Sequence, residues 1–215
     1  MPTTELYSQL KTGPLKRLYK YYTPDAVNIA GGVPMESCFP MKSVTVDIGS
    51  NTHIKCEGDT LFLNYLRGDG VPPLREWILS HVSDVHNSSP SGGTVNTCMT
   101  IGSTDALLKI LQLVHTDAIL MDEFAYGTAV AVAGATGKKA VGVAMDDSGL
   151  IPAALEEAVN SLRKRGLAAN LLYLVPTGQN PMGFSIPSAR RMEILSMCQR
   201  MGVTIIEDGE LSSSR

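Results

Sequence analysis

The sequence has 215 residues, of which 44% are hydrophobic and 18% are charged, and its net charge is -3. These values are typical of one globular domain, or one and a part, and the mild negative charge without a basic cluster beside aromatic residues argues against nucleic acid as a partner. No apolar run approaches the roughly 20 residues of a membrane span, and the start lacks the apolar core of a signal peptide. We therefore expect no membrane partner and a cytoplasmic location, with an organellar address left open.

The first 43 residues read as an irregular N-terminal segment that is interrupted by Pro14, Pro24, Pro34 and Pro40. One short strand candidate, Val27–Ala30, leads into Gly31-Gly32. Paired glycines after a strand allow a positive φ or a close approach of the backbone to a ligand, and a tight turn explains them equally well. Between residues 44 and 69 the pattern is weak, and an apolar stripe then predicts a helix over Leu74–Val85.

From Val95 onward, apolar strand patterns alternate with helical patterns, and this alternation predicts an α/β fold. The predicted strands are Thr97–Ile101, Ala118–Met121, Ala140–Ala144, Leu171–Val175 and Val203–Ile206. Apolar stripes at helical spacing predict helices around Leu107–Val114, from Pro152 to a C-cap at Gly166, and up to a stop at Gly202. Such an order implies a mostly parallel sheet with helices on both faces.

The cysteines and histidines are scattered and suggest no metal site. No C-x-x-C spacing occurs, which argues against a zinc site or a disulfide framework, and the four histidines show no ligand spacing. Cys98 and Cys198 fall in apolar strand or helix patterns and are interpreted as small core residues.

The first predicted strand runs through Ile101-Gly102 into Ser103 and Thr104, which open a helix. A helix N-terminus offers unpaired backbone N–H groups, so a glycine and hydroxyl groups at this point favour a phosphate cradle. A plain N-cap by Ser103 or Thr104 is the structural alternative. The motif matches neither the dinucleotide fingerprint nor the P-loop.

Three more polar or aromatic side chains follow later predicted strands, at the edge where open α/β sheets bind ligands. Tyr126 offers a ring to cover a flat heterocycle, or packs at the rim of the core. Asn180 offers an amide, although an Asn-Pro turn is usually only a turn. Asp208 offers a carboxylate for a protonated ring nitrogen, or is simply solvated.

Together these groups fit one ligand, a phosphorylated pyridine with a ring oxygen. The chain resembles the pyridoxal-phosphate-dependent aminotransferases of fold type I, classes I and II, and among them the aromatic-amino-acid, α-aminoadipate and kynurenine branch. The resemblance runs from about Asn28 to Asp208. Its motifs are Gly31-Gly32-Val33-Pro34, Tyr65 followed by Gly70, Gly102-Ser103-Thr104, Asp122-Glu123-Phe124-Ala125-Tyr126 and Pro176–Gly183, where Met182 replaces a threonine of the family.

The resemblance implies pyridoxal 5'-phosphate as the cofactor. It implies that the backbone at Ser103 and Thr104 holds the phosphate and that Tyr126 stacks on the ring. Asn180 is implied to bind the ring 3-oxygen, and Asp208 to keep the ring nitrogen protonated, so that the ring acts as an electron sink.

The resemblance also implies shared sites in a homodimer. In relatives, the residue matching Tyr65 reaches the phosphate of the neighbouring subunit, and the glycines matching Gly31 and Gly32 lie beside the substrate. The implied substrates are an aromatic or aminoadipate-like amino acid and a 2-oxo acid. The implied organisation is an arm with part of a small domain at 1–43, a partial cofactor-binding large domain at 44–208 and a divergent tail at 209–215.

The Schiff-base lysine that transamination requires is absent, because none of the nine lysines follows Asp208. Leu211 stands where the family has a tyrosine, and the sequence from Gly209 to Arg215 diverges from the family. We therefore expect a C-terminally truncated family member that is inactive alone. The alternative is a non-catalytic fragment that binds the cofactor or interferes with the dimer of a full-length homologue.

Overall fold

The computed structural model describes residues 3–11, 13–18, 34–57, 63–66, 68–86 and 95–209, and the single positions 21, 23, 25, 27, 29 and 32. These residues fall into two compact units, one in 1–10 and 100–215 and the other in 11–99. The predicted boundaries after residues 43 and 208 do not coincide with this division, and they stay predictions. Gly31, half of the strand candidate at 27–30 and the tail at 210–215 lie outside the described residues.

The described elements alternate along the chain as the sequence predicts. The helices are α1 (Glu5–Ser8), α2 (Pro14–Leu18), α3 (Pro72–His86), α4 (Ser103–Leu113), α5 (Gly127–Ala135), α6 (Pro152–Lys164) and α7 (Ser188–Met201), with a 3₁₀ helix at Glu36–Cys38. The strands are β1 (Ser43–Asp47), β2 (His53–Glu57), β3 (Ala118–Asp122), β4 (Lys139–Val143), β5 (Met145–Asp146), β6 (Gly149–Leu150), β7 (Ala169–Leu174) and β8 (Thr204–Glu207). None of the described helices is long and apolar enough to cross a membrane.

A parallel four-stranded sheet in the order β4-β3-β7-β8 forms the centre of the larger unit. All five residues of β3 are buried. A strand in the middle of a parallel sheet is covered on both faces and therefore reads as a continuous apolar run, which is why the sequence predicts this strand. The α/β fold with a mostly parallel sheet is thus confirmed.

Helices cover both faces of this sheet. Residues of α6 and α7 pack with Leu172 and Leu174 in one core. Residues of α4 and α5 pack with Leu171 and Tyr173 in a second core. Neighbouring side chains of a strand point to opposite faces, so β7 contributes to both cores in alternation.

The predicted ends of two helices are also confirmed. The helix α7 stops at Gly202, whose φ of 62° and ψ of 37° are left-handed. After α6, Gly166 has a φ of 75°. Glycine adopts such a φ without the steric cost that a Cβ brings, so it is the common residue where a helix ends.

Two predictions from the sequence are wrong. The segment 97–101 is not a strand, because its backbone pairs with no described strand, although it contains the β-formers Thr97, Thr100 and Ile101. Cys98, interpreted as a core residue, is exposed, whereas Cys198 is buried as expected. A strand exists only where a neighbouring chain offers its hydrogen-bonding groups, and local composition cannot supply that partner.

The smaller unit holds the antiparallel pair β1–β2, which the weak pattern at 44–69 did not predict. In this unit Arg75 of α3 forms a 2.6 Å ion pair with Asp69 and donates a 2.9 Å hydrogen bond to the carbonyl of Thr97. Gly70 has a φ of 111°, and a Cβ at this position would meet the Met99 side chain at 2.3 Å. This close approach explains why a glycine follows the loop of Tyr65.

Candidate functional site

One small pocket of the larger unit brings together four of the residues predicted from the sequence. Ser103, Thr104, Tyr126 and Asp208 line it, and the remaining lining residues are Leu107, Thr128, Ala129 and Tyr173. These eight residues come from the first turns of α4, the start of α5, β7 and the end of β8. The enclosed space is about 10 Å³, close to what one water molecule needs, so a larger ligand would lie across the mouth.

The phosphate cradle predicted at the start of α4 is an uncapped helix N-terminus. The N-cap position is Gly102, with a φ of 89° and a ψ of 172°, and no side chain caps the helix. The alternative of a plain N-cap by Ser103 or Thr104 is therefore wrong, because Ser103 is the first helical residue. Backbone N–H groups at such an end are oriented to bind an anion.

Asp105, in the first turn of α4, binds groups at this end of the helix but does not cap it. Its Oδ2 accepts a 3.0 Å hydrogen bond from the backbone N–H of Ile101, and its Oδ1 pairs with Lys109. The Lys109 ammonium, followed by the Ile101 N–H, holds the pKa of Asp105 below its ordinary value. The carboxylate is therefore engaged with groups of the chain itself.

Tyr126 stands at the N-cap position of α5, after the turn that ends β3. Its carbonyl accepts hydrogen bonds from the N–H groups of Ala129 and Val130, which fixes the backbone of the residue. Its side chain is half-buried and packs against the core between the sheet and α4 and α5. The ring packs on the core, as the packing alternative for this residue expected, and it also lines the pocket. Its stacking on a cofactor ring stays a prediction.

Asp208 follows β8 and is held by β7 in two ways. Its backbone N–H donates to the carbonyl of Leu174 at 2.8 Å, which extends the β7–β8 ladder by one residue. Its Oδ2 accepts a 2.7 Å hydrogen bond from the hydroxyl of Tyr173. Tyr173 is 3% exposed, so this bond lies at the edge of the core. The carboxylate is a positioned acceptor, in contrast to the solvated alternative.

No functional role was predicted for Tyr173 from the sequence, although one signal was available. It is the only polar-tipped residue of an otherwise aliphatic run, Leu171-Leu172-Tyr173-Leu174-Val175. A buried tyrosine hydroxyl normally finds a hydrogen-bond partner, so its presence in a core strand indicates a polar group nearby. The identity of that partner depends on the pairing of β7 with β8.

Asn180 does not line this pocket, in contrast to the four residues above. It is exposed in the loop between β7 and α7. The base of that loop is held by Arg191, which donates hydrogen bonds to the carbonyls of Ile186 at 2.7 Å and Pro176 at 2.8 Å. The N–H of Ile186 donates to the same Pro176 carbonyl at 2.9 Å.

A second hydrogen-bonded pair lies under this loop, and the sequence did not single it out. The side chain of Gln179 donates from Nε2 to Oδ2 of Asp122 at 3.1 Å. Both residues are buried, with 2% and 3% of their surfaces exposed. Desolvation raises the pKa of Asp122, and the hydrogen bond from Gln179 opposes that rise.

The remaining predicted residues are not brought to this pocket by any described contact. Tyr65 belongs to the smaller unit and is 76% exposed. Gly32 has a φ of 57°, which glycine adopts readily, and a Cβ there would meet nothing within 4 Å. Gly31 lies outside the described residues. The roles suggested for these three residues stay predictions.

The pocket contains the kinds of groups that a phosphorylated pyridine requires. An uncapped helix N-terminus can bind a phosphate, an aromatic ring lies beside it, and a carboxylate held by Tyr173 can pair with a cationic nitrogen. The donor set therefore fits pyridoxal 5'-phosphate. No lysine is among the described residues that line the pocket.

Comparison with known proteins defines the class to which this fold corresponds. The larger part of the chain has the fold of the pyridoxal-phosphate-dependent aminotransferases of fold type I. The crystal structure of aminotransferase Aro8 from Candida albicans superposes with a TM-score of 0.81, at 29% sequence identity, over 96% of this chain and 48% of that one. No protein-family model matches the sequence.

Within that class, the homologues are kynurenine, aminoadipate and aromatic aminotransferases. The chain is 27% identical to the mitochondrial kynurenine/alpha-aminoadipate aminotransferase of Rattus norvegicus over 216 residues, which cover 92% of this chain and 51% of the relative. It is 29% identical to the L-tyrosine:2-oxoglutarate aminotransferase atrD of Tapinella panuoides, over 91% of this chain and 42% of the relative. The chain spans about half the length of the curated relatives that it matches.

Proposed function

We propose that the chain forms the cofactor-binding part of an aminotransferase that moves an amino group between an aromatic or aminoadipate-like amino acid and a 2-oxo acid. The convergence of Ser103, Thr104, Tyr126 and Asp208 on one pocket, from three elements far apart in sequence, carries this proposal. Homology to enzymes with these substrates in their names supports the same reaction class.

Each side of the pocket has a distinct task in this proposal. The N–H groups at Ser103 and Thr104 bind the phosphate of pyridoxal 5'-phosphate, and the ring of Tyr126 covers the pyridine. Asp208, oriented by Tyr173, accepts a hydrogen bond from the protonated ring nitrogen. When bound, the cofactor withdraws electrons from the Cα of the amino acid, and a protonated nitrogen strengthens that withdrawal.

Asn180 and Tyr65 complete the proposed site from outside this pocket. The amide of Asn180, at the exposed tip of its loop, binds the 3-oxygen of the ring. Tyr65 contributes to the phosphate site of a second subunit in a homodimer, for which its 76% exposure leaves the side chain accessible. Gly31 and Gly32 border the substrate.

The 215 residues bind the cofactor without a covalent bond in this proposal. No lysine is among the described residues that line the pocket. Proton transfer at the substrate Cα requires a base of that kind, so the 215-residue polypeptide assayed by itself holds the cofactor but does not turn over.

Equilibrium dialysis of the 215-residue chain against pyridoxal 5'-phosphate tests the proposal. We expect saturable binding that Asp208→Asn weakens by about tenfold or more, since loss of a charged hydrogen bond costs about 1.5–3 kcal/mol. Asp147→Asn, an exposed aspartate outside the pocket, removes the same charge and serves as the control. Absence of saturable binding to the folded chain would refute the proposal.

Turnover is measured in the same preparation with 2-oxoglutarate and an aromatic amino acid. We expect none from the chain alone. Robust turnover would show that the reaction proceeds with a base that the pocket does not contain, and would overturn the non-covalent part of the proposal.

The lack of a lysine in the pocket also favours a second candidate function. In it, the chain is a non-catalytic partner that pairs with a full-length homologue and lowers its activity. Co-purification with such an enzyme, together with reduced turnover of the mixture, would support this candidate. Unchanged turnover of the mixture would exclude it.

A further inference from the structure

Gln179 is a buried amide whose hydrogen bonds are all made within the protein. Its Nε2 donates to Oδ2 of Asp122 at 3.1 Å and to the carbonyl of Phe124 at 2.8 Å. Its Oε1 accepts the backbone N–H of Met182 at 2.8 Å. Its own backbone N–H donates to the carbonyl of Phe184 at 2.7 Å. The Gln179 side chain is 2% exposed, and its three side-chain hydrogen bonds hold it in one conformation.

These hydrogen bonds join two loops that are more than fifty residues apart in sequence. One loop follows β3 and contains Phe124, two residues before Tyr126. The other follows β7 and contains Asn180, the residue after Gln179. The two loops share no ladder hydrogen bond, because the β3–β7 pairing ends at Met121 and Tyr173. The Gln179 side chain therefore links the loops beyond the end of the sheet.

Asp122 makes the two loops sensitive to the loss of the Gln179 amide. It is buried at the end of β3, and its Oδ1 has no hydrogen-bond partner among the described residues. Its Oδ2 accepts from Gln179, and the described residues supply no second donor to it. Removing the amide of Gln179 would thus leave both carboxyl oxygens of a buried acid without a donor, as well as the carbonyl of Phe124.

We infer that Gln179 is a positioning residue that sets the place of Asn180 relative to Tyr126, so that the ring oxygen and the ring face of the cofactor are bound together. This inference rests on the proposed function. The side chain is not a cofactor ligand, because its three hydrogen bonds already use its carboxamide inside the protein. Its effect on the cofactor passes through the two loops.

The test compares Gln179→Glu with Gln199→Glu in the 215-residue chain. Both changes convert a glutamine to a glutamate, but Gln199 lies exposed on α7 and its side chain forms no hydrogen bond with the described residues. We expect Gln179→Glu to weaken the binding of pyridoxal 5'-phosphate by about tenfold, as for the loss of one or two hydrogen bonds, and Gln199→Glu to leave it unchanged.

Two further readouts separate positioning from a general loss of stability. At saturating cofactor, the circular dichroism induced in the cofactor absorbance band should fall in Gln179→Glu, because the ring is less firmly oriented. Without cofactor, the backbone N–H of Met182 should exchange with solvent faster in Gln179→Met, which lacks the oxygen that accepts this N–H, while amides of β3 keep the protection of the wild type. Full retention of both signals in a folded variant would overturn the inference.

Two more variants protect the test against failure to fold. Gln179→Met removes the two donor hydrogen bonds that Gln179→Glu removes, and also the acceptor of the Met182 N–H, without adding a charge. It carries the same expectation for affinity. In the double variant Gln179→Glu/Asp122→Asn, the amide at 122 donates to the carboxylate at 179, so we expect part of the affinity to return. A loss that the double variant does not recover would indicate general disruption and would also overturn the inference.

The outcome for the wild type distinguishes this inference from the proposed function. If the wild-type chain fails to bind the cofactor, both fall. If it binds and the variants at 179 bind equally well, only the positioning role falls, and the proposed function stands.

Discussion

The hydroxyl of Tyr173 and Oδ2 of Asp208 are joined by a 2.7 Å hydrogen bond. The two residues are 35 positions apart, on strands that pair in parallel. Hydrogen bonds to an ionised acceptor are about twice as strong as neutral ones, and this one begins on a 3% exposed side chain. Tyr173 therefore fixes one oxygen of the carboxylate. In the proposed function, the other oxygen meets the ring nitrogen of the cofactor.

The first prediction concerns this bond. Tyr173→Phe keeps the ring in the core but removes the donor, so we expect the dissociation constant for pyridoxal 5'-phosphate to rise by about tenfold, equivalent to about 1.4 kcal/mol. The measurement is a dialysis or fluorescence titration. Tyr7→Phe, on the short helix α1, is the matched control and should bind as the wild type does. Equal affinity in both variants would contradict the role given to Tyr173.

The second prediction concerns the backbone at the start of α4. Gly102 has a φ of 89° and a ψ of 172°, a region that is almost restricted to glycine. A Cβ there meets nothing within 4 Å, so the cost of Gly102→Ala is conformational and not steric contact with neighbours. We expect the free energy of unfolding to fall by about 1–3 kcal/mol in urea denaturation.

Gly134→Ala is the control for that change. Gly134 lies inside α5, and a Cβ there also meets nothing within 4 Å. Alanine is the better helix residue by about 0.5–1 kcal/mol, so this variant should be more stable than the wild type. The prediction fails if both substitutions shift stability in the same direction.

The third prediction is a pH dependence of stability that Asp122 causes. Burial raises the pKa of this carboxyl in the folded protein above its ordinary value of 3.8. The folded state then binds more protons than the unfolded chain between the two pKa values. The stabilising contribution is complete below pH 3.8 and is lost as the pH rises through the folded pKa.

Asp122→Asn removes this titration, so the variant should lose less stability than the wild type over that pH range. The measurement is the free energy of unfolding in urea at a series of pH values. Exposed Asp147→Asn is the control. Parallel curves for the wild type and Asp122→Asn would show that the buried carboxyl does not titrate in this way.

The fourth prediction concerns thiol reactivity. Burial raises the pKa of Cys198 to about 11, and its side chain packs in the core between α6, α7 and the sheet. Cys38, Cys56 and Cys98 are exposed. Because the thiolate is the reactive form, we expect alkylation at neutral pH to label these three at once and Cys198 only after unfolding. Mass spectrometry of the peptides identifies each site, and early labelling of Cys198 would contradict the packing.

Some helices and strands could not be predicted from the sequence, for a physical reason. The helix α5, Gly127–Ala135, contains only glycine, alanine, valine and threonine and has no polar face to produce a helical pattern. The hairpin β1–β2 is mostly exposed, so its strands lack the buried alternation that marks a half-covered sheet. In both cases the element is selected by its surroundings and not by its own periodicity.

The residues of the candidate site also divide into those that local sequence patterns predict and those that they do not. Tyr126 and Asp208 were predicted because aromatic and polar residues follow buried strands, and parallel strands end at one edge. Ser103 and Thr104 were predicted from a glycine followed by a helix start, and the helix is present although the strand expected before it is not. Tyr173 and Gln179 were missed because their functional partners, Asp208 and Asp122, are distant in sequence. A hydrogen bond between such residues exists only through strand register and loop path.

By itself, the sequence determined the four parallel strands, the helices that cover them and the glycines that end two helices. Continuous apolar runs, apolar stripes and left-handed glycines are local signals, and their physics is contained in a few neighbouring residues. Only the tertiary structure decided that residues 97–101 form no strand, that Tyr173 holds Asp208, and that Gln179 joins two loops. Each of these depends on a partner supplied from elsewhere in the chain, because backbone and buried polar groups are stable only when such a partner is in place.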